Sequence, residues 1–108
     1  MKNLKIIQKM LSYIDSIIKY TSNITYNEFK SNSMMVEACI FNLSQIGELT
    51  NKLDKEYLNK HSDIPWFKIK GLRNRVVHDY EGVNLKLIWE IIDVDIKILR
   101  KQLLKLIE

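Results

Sequence analysis

Apolar residues return every three or four positions along most of this chain, and that spacing leaves little room for anything but helices. Leu4, Ile7, Leu11, Ile14 and Ile18 step by three and four from the start, which lays them along one side of an α-helix. Ile6, Met10, Tyr13 and Ile17 form a second row beside them. A face this broad suits burial between several helices better than a narrow two-stranded seam. One proline and three glycines in 108 residues leave few positions that break such rows. No segment alternates as a strand. The pattern predicts an all-α fold, an up-and-down helical bundle of four main helices plus short helical turns, in one domain over residues 1–108.

The first helix is expected from about Asn3 to Tyr20. Thr25 with Glu28 fits a capping box, in which each side chain bonds the other's backbone N–H, so a short helix should start there. A long helix is expected from about Ser33 to Leu53, with Met35, Cys39, Ile46, Leu49 and Leu53 in one row and Val36, Ile40 and Leu43 alongside. Gly47 in its middle costs about 1 kcal/mol against alanine, and in return admits a close backbone neighbour. Asp63 is expected to cap a third main helix, with Pro65 in its first turn. That helix carries Trp66, Ile69, Leu72 and Val76 inward and should end near His78, because Gly82 and Asn84 mark a turn. Asn84 then caps a last helix from Leu85 to about Ile107. In it Leu85, Ile88, Ile92 and Leu99 face inward, while Lys86, Glu90, Asp93, Lys97 and Lys101 face water. Asp93 and Lys97 stand in the favoured i,i+4 order.

A lone cysteine, Cys39, has no internal disulfide partner and lies in an apolar run, so it reads as a buried thiol. No uncharged stretch approaches the roughly 20 apolar residues that cross a bilayer, and the start of the chain does not resemble a signal peptide. The expected location is the cytosol, with no membrane partner. The net charge is only +4, but it is concentrated. Seven basic residues (Lys52, Lys55, Lys60, Lys68, Lys70, Arg73, Arg75) face three acidic ones (Asp54, Glu56, Asp63) between Lys52 and Arg75. Such a patch could attract nucleic acid weakly and in a salt-sensitive way, although a charge run is more often an ordinary solvated face.

Beside this patch lies Gly71-Leu72-Arg73-Asn74-Arg75-Val76-Val77-His78-Asp79-Tyr80, which places an arginine, a histidine and a tyrosine in the spacing R-x4-H-x-Y. Histidine exchanges protons near neutral pH. Arginine is a permanent cation whose planar donors match phosphate oxygens. RNA carries its own nucleophile, the 2′-hydroxyl, so cleavage needs only proton transfer and charge stabilisation at phosphorus. His78 suits the first task and Arg73 the second, with Asn74 orienting His78 or holding an oxygen. The products would be a 2′,3′-cyclic phosphate and a 5′-hydroxyl, with no metal or cofactor. On a continuous helix Asn74 and His78 share a face, whereas Arg73 and His78 diverge by roughly 140°. Catalysis therefore requires either a distorted helix end or a two-fold dimer that brings a second copy of each group to one cleft. The plainer reading makes Arg73 a surface partner of a carboxylate such as Glu48, and His78 a favourable charge near a helix C-terminus. His61, in a polar stretch, reads as an exposed loop residue, and no ligand spacing suggests a metal site.

The run from Pro65-Trp66 through the R-x4-H-x-Y segment to Leu87-Ile88-Trp89, together with Gln45-Ile46-Gly47-Glu48 upstream, resembles the HepT-like branch of the HEPN superfamily. The likeness spans nearly the whole chain. It implies a helical-bundle toxin of a type VII toxin–antitoxin system, a metal-independent endoribonuclease working as a homodimer with its site between subunits. It also implies a partner, a nucleotidyltransferase antitoxin of the MNT type, that silences the toxin by transferring AMP to the motif tyrosine. By that likeness Arg73, Asn74 and His78 are catalytic, Tyr80 is the AMP acceptor, and Glu48 gives structural support to an arginine. A competing expectation is a non-catalytic partner that binds substrate for, or regulates, a nucleotidyltransferase.

Overall fold

A computed structural model describes residues 2–108. It is all-α, as the periodicity requires. The helices are α1 (Lys2–Thr21), α2 (Tyr26–Lys30), α3 (Ser33–Thr50), α4 (Lys55–Lys60), α5 (Trp66–Lys70), α6 (Leu72–Glu81), α7 (Leu85–Glu90) and α8 (Ile96–Leu106), with a π-helical turn over Ile91–Asp95 joining the last two. The expected rows are the core. Ile7, Met10, Ile14 and Ile17 of α1 pack with Val36, Cys39, Leu43 and Ile46 of α3, all at most 2% exposed. Each such aliphatic side chain contributes about 1.5–3 kcal/mol by leaving water. α1 lies on α3 and α8, while α3 lies on α5 and α6.

Several boundaries differ from expectation, each for a local reason. The long helix stops at Thr50, and a turn carries Leu53 into the core before α4, an element the apolar pattern did not announce because none of its residues is fully buried. Asp54 ties that turn to the start of α1, accepting hydrogen bonds from Lys2 Nζ at 3.0 Å and Asn3 Nδ2 at 3.2 Å. The Lys2 bond holds the Asp54 carboxyl below its usual range. Asp63 caps nothing, since α5 starts after Pro65 without a side-chain cap. The third main helix is split at Gly71 into α5 and α6, and α6 continues past His78 to Glu81. Asn84 also makes no side-chain cap. Its N–H instead donates to the Asp79 carbonyl at 2.6 Å. The positive φ of this reversal, 58°, falls on Val83 rather than on Gly82.

The last helix runs from Leu85 to Leu106 with one widened turn. Ile91 and Ile96 are both 1% exposed although they are five residues apart. On a regular helix such positions diverge. The Ile96 N–H donates to the Ile91 carbonyl, the i→i+5 bond of a π turn, and this brings both side chains onto one face. The remaining expectations hold: the Thr25–Glu28 capping box is complete, Asp93 and Lys97 pair at 3.4 Å, and Cys39 is buried, its thiol pushed up to about 12 by desolvation. His61 differs. It is half-buried against the Tyr57 ring, centroids 4.7 Å apart, and its carbonyl accepts from Trp66 Nε1 at 2.9 Å. Among the described residues no helix is long and apolar enough to cross a membrane.

Candidate active site

Gly47 determines where α6 sits. A Cβ there would lie 3.0 Å from the Ile69 carbonyl oxygen and 3.5 Å from the Arg73 nitrogen. The bare backbone thus lets the α5–α6 junction press onto α3. This is the close approach that the glycine was expected to allow, and it places Arg73 beside α3. The Arg73 Nε is 4.0 Å from Glu48 Oε1, as anticipated. Both side chains are more than half exposed, so the pair orients the guanidinium more than it stabilises the fold.

α6 is helical throughout, with Leu72, Val76 and Asp79 buried. That buried line fixes what the other positions face. At about 100° per residue, Arg73, Val77 and Tyr80 form a line on the flank toward Glu48. Asn74, Arg75 and His78 occupy the opposite outward flank. Arg73, Asn74, Arg75 and His78 are all exposed, and Tyr80 is 39% exposed. A single copy of the chain therefore sets Asn74 and His78 on one flank and Arg73 with Tyr80 on the other. It does not bring Arg73 to His78. No unwound turn closes the gap, because the Gly82 N–H bonds the His78 carbonyl at 2.9 Å.

Two further residues of this helix were overlooked in the sequence. Arg75 stands three before His78 and shares its face, a relation that the spacing alone discloses. Asp79 falls on the buried i,i+4,i+7 line, and its Oδ2 is buried with no hydrogen-bond partner among the described residues. No group of three or more His, Cys, Asp or Glu side chains is gathered as for a metal among those residues.

An apolar stripe adjoins the Arg73 flank. Met34, Phe41 and Glu48 repeat every seven residues along the outer side of α3, and Met34 and Phe41 are 80% and 58% exposed. α3 and α6 run antiparallel: Gly47 near the end of α3 meets Arg73 at the start of α6, and α2 links the beginning of α3 to α7.

A helical bundle with R-x4-H-x-Y displayed on an exposed helix defines a class, and comparison with known proteins gives the class its name. The family model described as ribonuclease HepT-like matches residues 10–106. The chain belongs to the HepT-like ribonuclease family of the HEPN superfamily. It is similar to "Putative RNase TTE0752" of Caldanaerobacter subterraneus subsp. tengcongensis, 32% identical over 94% of this chain and 91% of the relative. "Putative RNase MJ0125" of Methanocaldococcus jannaschii is 34% identical over 92% of this chain and 85% of its own length. "Probable ribonuclease HepT" of Thermococcus cleftensis is 28% identical over 86% and 84%. No solved structure matches.

Proposed function

We infer that this protein is an endoribonuclease that cleaves RNA by internal 2′-hydroxyl attack without a metal, using His78 and Asn74 of one subunit and Arg73 of a second. The observation that carries the reading is the display of Arg73 and His78 on two flanks of one exposed, regular helix. Two copies of α6 laid side by side and parallel about a two-fold axis turn the Arg73 flank of one toward the partner subunit's His78, and the reverse, so that each cleft holds both groups. The exposed Met34 and Phe41 on the outer side of α3, the helix that carries Glu48, supply apolar area for such a contact. His78 relays the proton between the 2′-hydroxyl and the leaving 5′-oxygen, contributing about 10²–10⁴-fold. Arg73 neutralises the charge that grows on the phosphorane oxygens.

The same arrangement supports silencing through Tyr80 in a toxin–antitoxin pair with an MNT-type nucleotidyltransferase. Tyr80 and Arg73 are seven residues apart on one line, two helical turns. An AMP on the Tyr80 oxygen would lay its phosphodiester along that line toward the guanidinium, occupying the place of the RNA phosphate. A purely regulatory partner of a nucleotidyltransferase would need Tyr80 and the apolar stripe but not His78.

The test is RNA incubated with purified protein in excess EDTA. Wild type is expected to yield 2′,3′-cyclic phosphate ends, with His78→Ala and Arg73→Ala each at least about 10²-fold slower. Cleavage that persists in either variant, or that EDTA abolishes, rejects the assignment.

A further inference from the structure

On the far side of α6 from Glu48 lies a groove of about 210 Å³. Its floor is apolar, made by Ile69, Leu72, Ile96 and Leu99, and one wall is the π-helical turn. Lys68 and Arg75 line it, with Asp95 and Gln102 on the opposite wall. The volume is below the roughly 300–1,000 Å³ of sites for drug-sized ligands and suits a single flat ring system. Arg75 also neighbours His78, three residues along the same helix, so their Cβ atoms stand about 5–6 Å apart. The groove thus opens beside His78, the proposed proton-transfer group, of the same subunit.

The charges at its rim are uncommitted. Arg73 already leans on Glu48. Arg75 and Lys68 have no carboxylate within 4.0 Å among the described residues, although Asp79 stands one turn beyond Arg75 and Asp95 lies across the groove. Two unpaired cations at the edge of an apolar slot match a nucleotide, whose phosphate is anionic and whose base offers a flat apolar face. They do not match an apolar peptide, which would leave both cations unanswered.

We propose that this groove is an RNA subsite that holds the nucleotide next to the cut, with its base against Ile69, Leu72 and Leu99 and its phosphate on Arg75 and Lys68. The proposal rests on the ribonuclease reading and deepens it. It assigns Arg75 the positioning of RNA, distinct from the role of Arg73 at the reacting phosphate. It also gives a use to part of the basic surplus that the sequence concentrates between Lys52 and Arg75.

RNA affinity can be read independently of cleavage in a His78→Ala background, with a fluorescent twelve-nucleotide single-stranded RNA and anisotropy at several salt concentrations. Adding Arg75→Gln is expected to weaken binding about tenfold and to lower the slope of log affinity against log salt by about one. Ile98→Glu, at an exposed position near the groove, should weaken binding similarly, whereas Ser12→Glu on the exposed side of α1, with the same change of charge, should not. In the His78-containing protein, Arg75→Gln should reduce kcat/KM mainly through KM, and Arg75→Lys should restore part of it. Equal affinity and salt slope with and without Arg75→Gln would overturn the subsite, whatever the cleavage result. Arg75-dependent binding by a wild-type protein that cleaves no RNA would leave the subsite standing and overturn the nuclease reading instead.

Discussion

Tyr80 is 39% exposed, and under the proposed silencing its phenol oxygen is all that AMP transfer would require, so removing that oxygen would separate regulation from chemistry. Tyr80→Phe is expected to cleave RNA within about threefold of wild type, because the ring still packs and the oxygen has no part in proton transfer. It should stay active when incubated with the nucleotidyltransferase and ATP. Loss of that resistance, measured by cleavage after treatment, would move the modification elsewhere. Cys39 offers a second check at this scale. Burial raises its thiol to about 12, above the value near 8.5 of an unfolded chain. Below pH 8 both states keep the proton and the group is silent. As pH rises from about 9 toward 12 only the unfolded state loses it, so stability falls with pH over that window. Urea melts of Cys39→Ala should show a shallower alkaline decline than wild type, and an equal decline would contradict the buried thiol.

Among the elements, the junction of α3 with α5 and α6 carries the greatest consequence for function. Gly47→Ala adds a methyl 3.0 Å from the Ile69 carbonyl, and this oxygen cannot retreat easily because Trp66 and Ile69 anchor α5 in the core. Overpacking of about 1–3 kcal/mol outweighs a helix-propensity gain of about 1 kcal/mol. A fall in Tm of roughly 4–8 °C is expected by calorimetry, and an unchanged or higher Tm would show that the junction yields. The apolar rows, the Thr25–Glu28 box and the Asp93–Lys97 pair were legible in the sequence because each is a relation within one helix, and Gly47 was legible because a glycine inside a helix calls for a close neighbour. The split at Gly71, the short α4 and the π turn were not. They arise where two packed surfaces must agree, as when Ile91 and Ile96 are both drawn into the core five residues apart. The caps expected at Asp63 and Asn84 are absent, and local backbone bonds stand there instead, the Trp66 N–H to the Ile64 carbonyl and the Asn84 N–H to the Asp79 carbonyl. Arg75 was legible too, because it stands at i,i+3 to His78 on one helix.

At the scale of the whole molecule, α6 is regular from Arg73 to His78 and Arg73 is drawn toward Glu48, so one copy of the chain holds the two groups on different flanks. The proposed site gives the chemistry to Arg73 and His78 and leaves their pairing to a second copy of the chain, which no single chain spells out. Mixed dimers test this directly. Arg73→Ala and His78→Ala subunits, each inactive alone, are unfolded together, refolded and assayed on RNA in EDTA. Half of the randomly paired dimers hold one intact cleft, Arg73 from one subunit and His78 from the other, so the mixture should recover about a quarter of wild-type cleavage. A mixture as inactive as its two components would contradict a site shared between subunits.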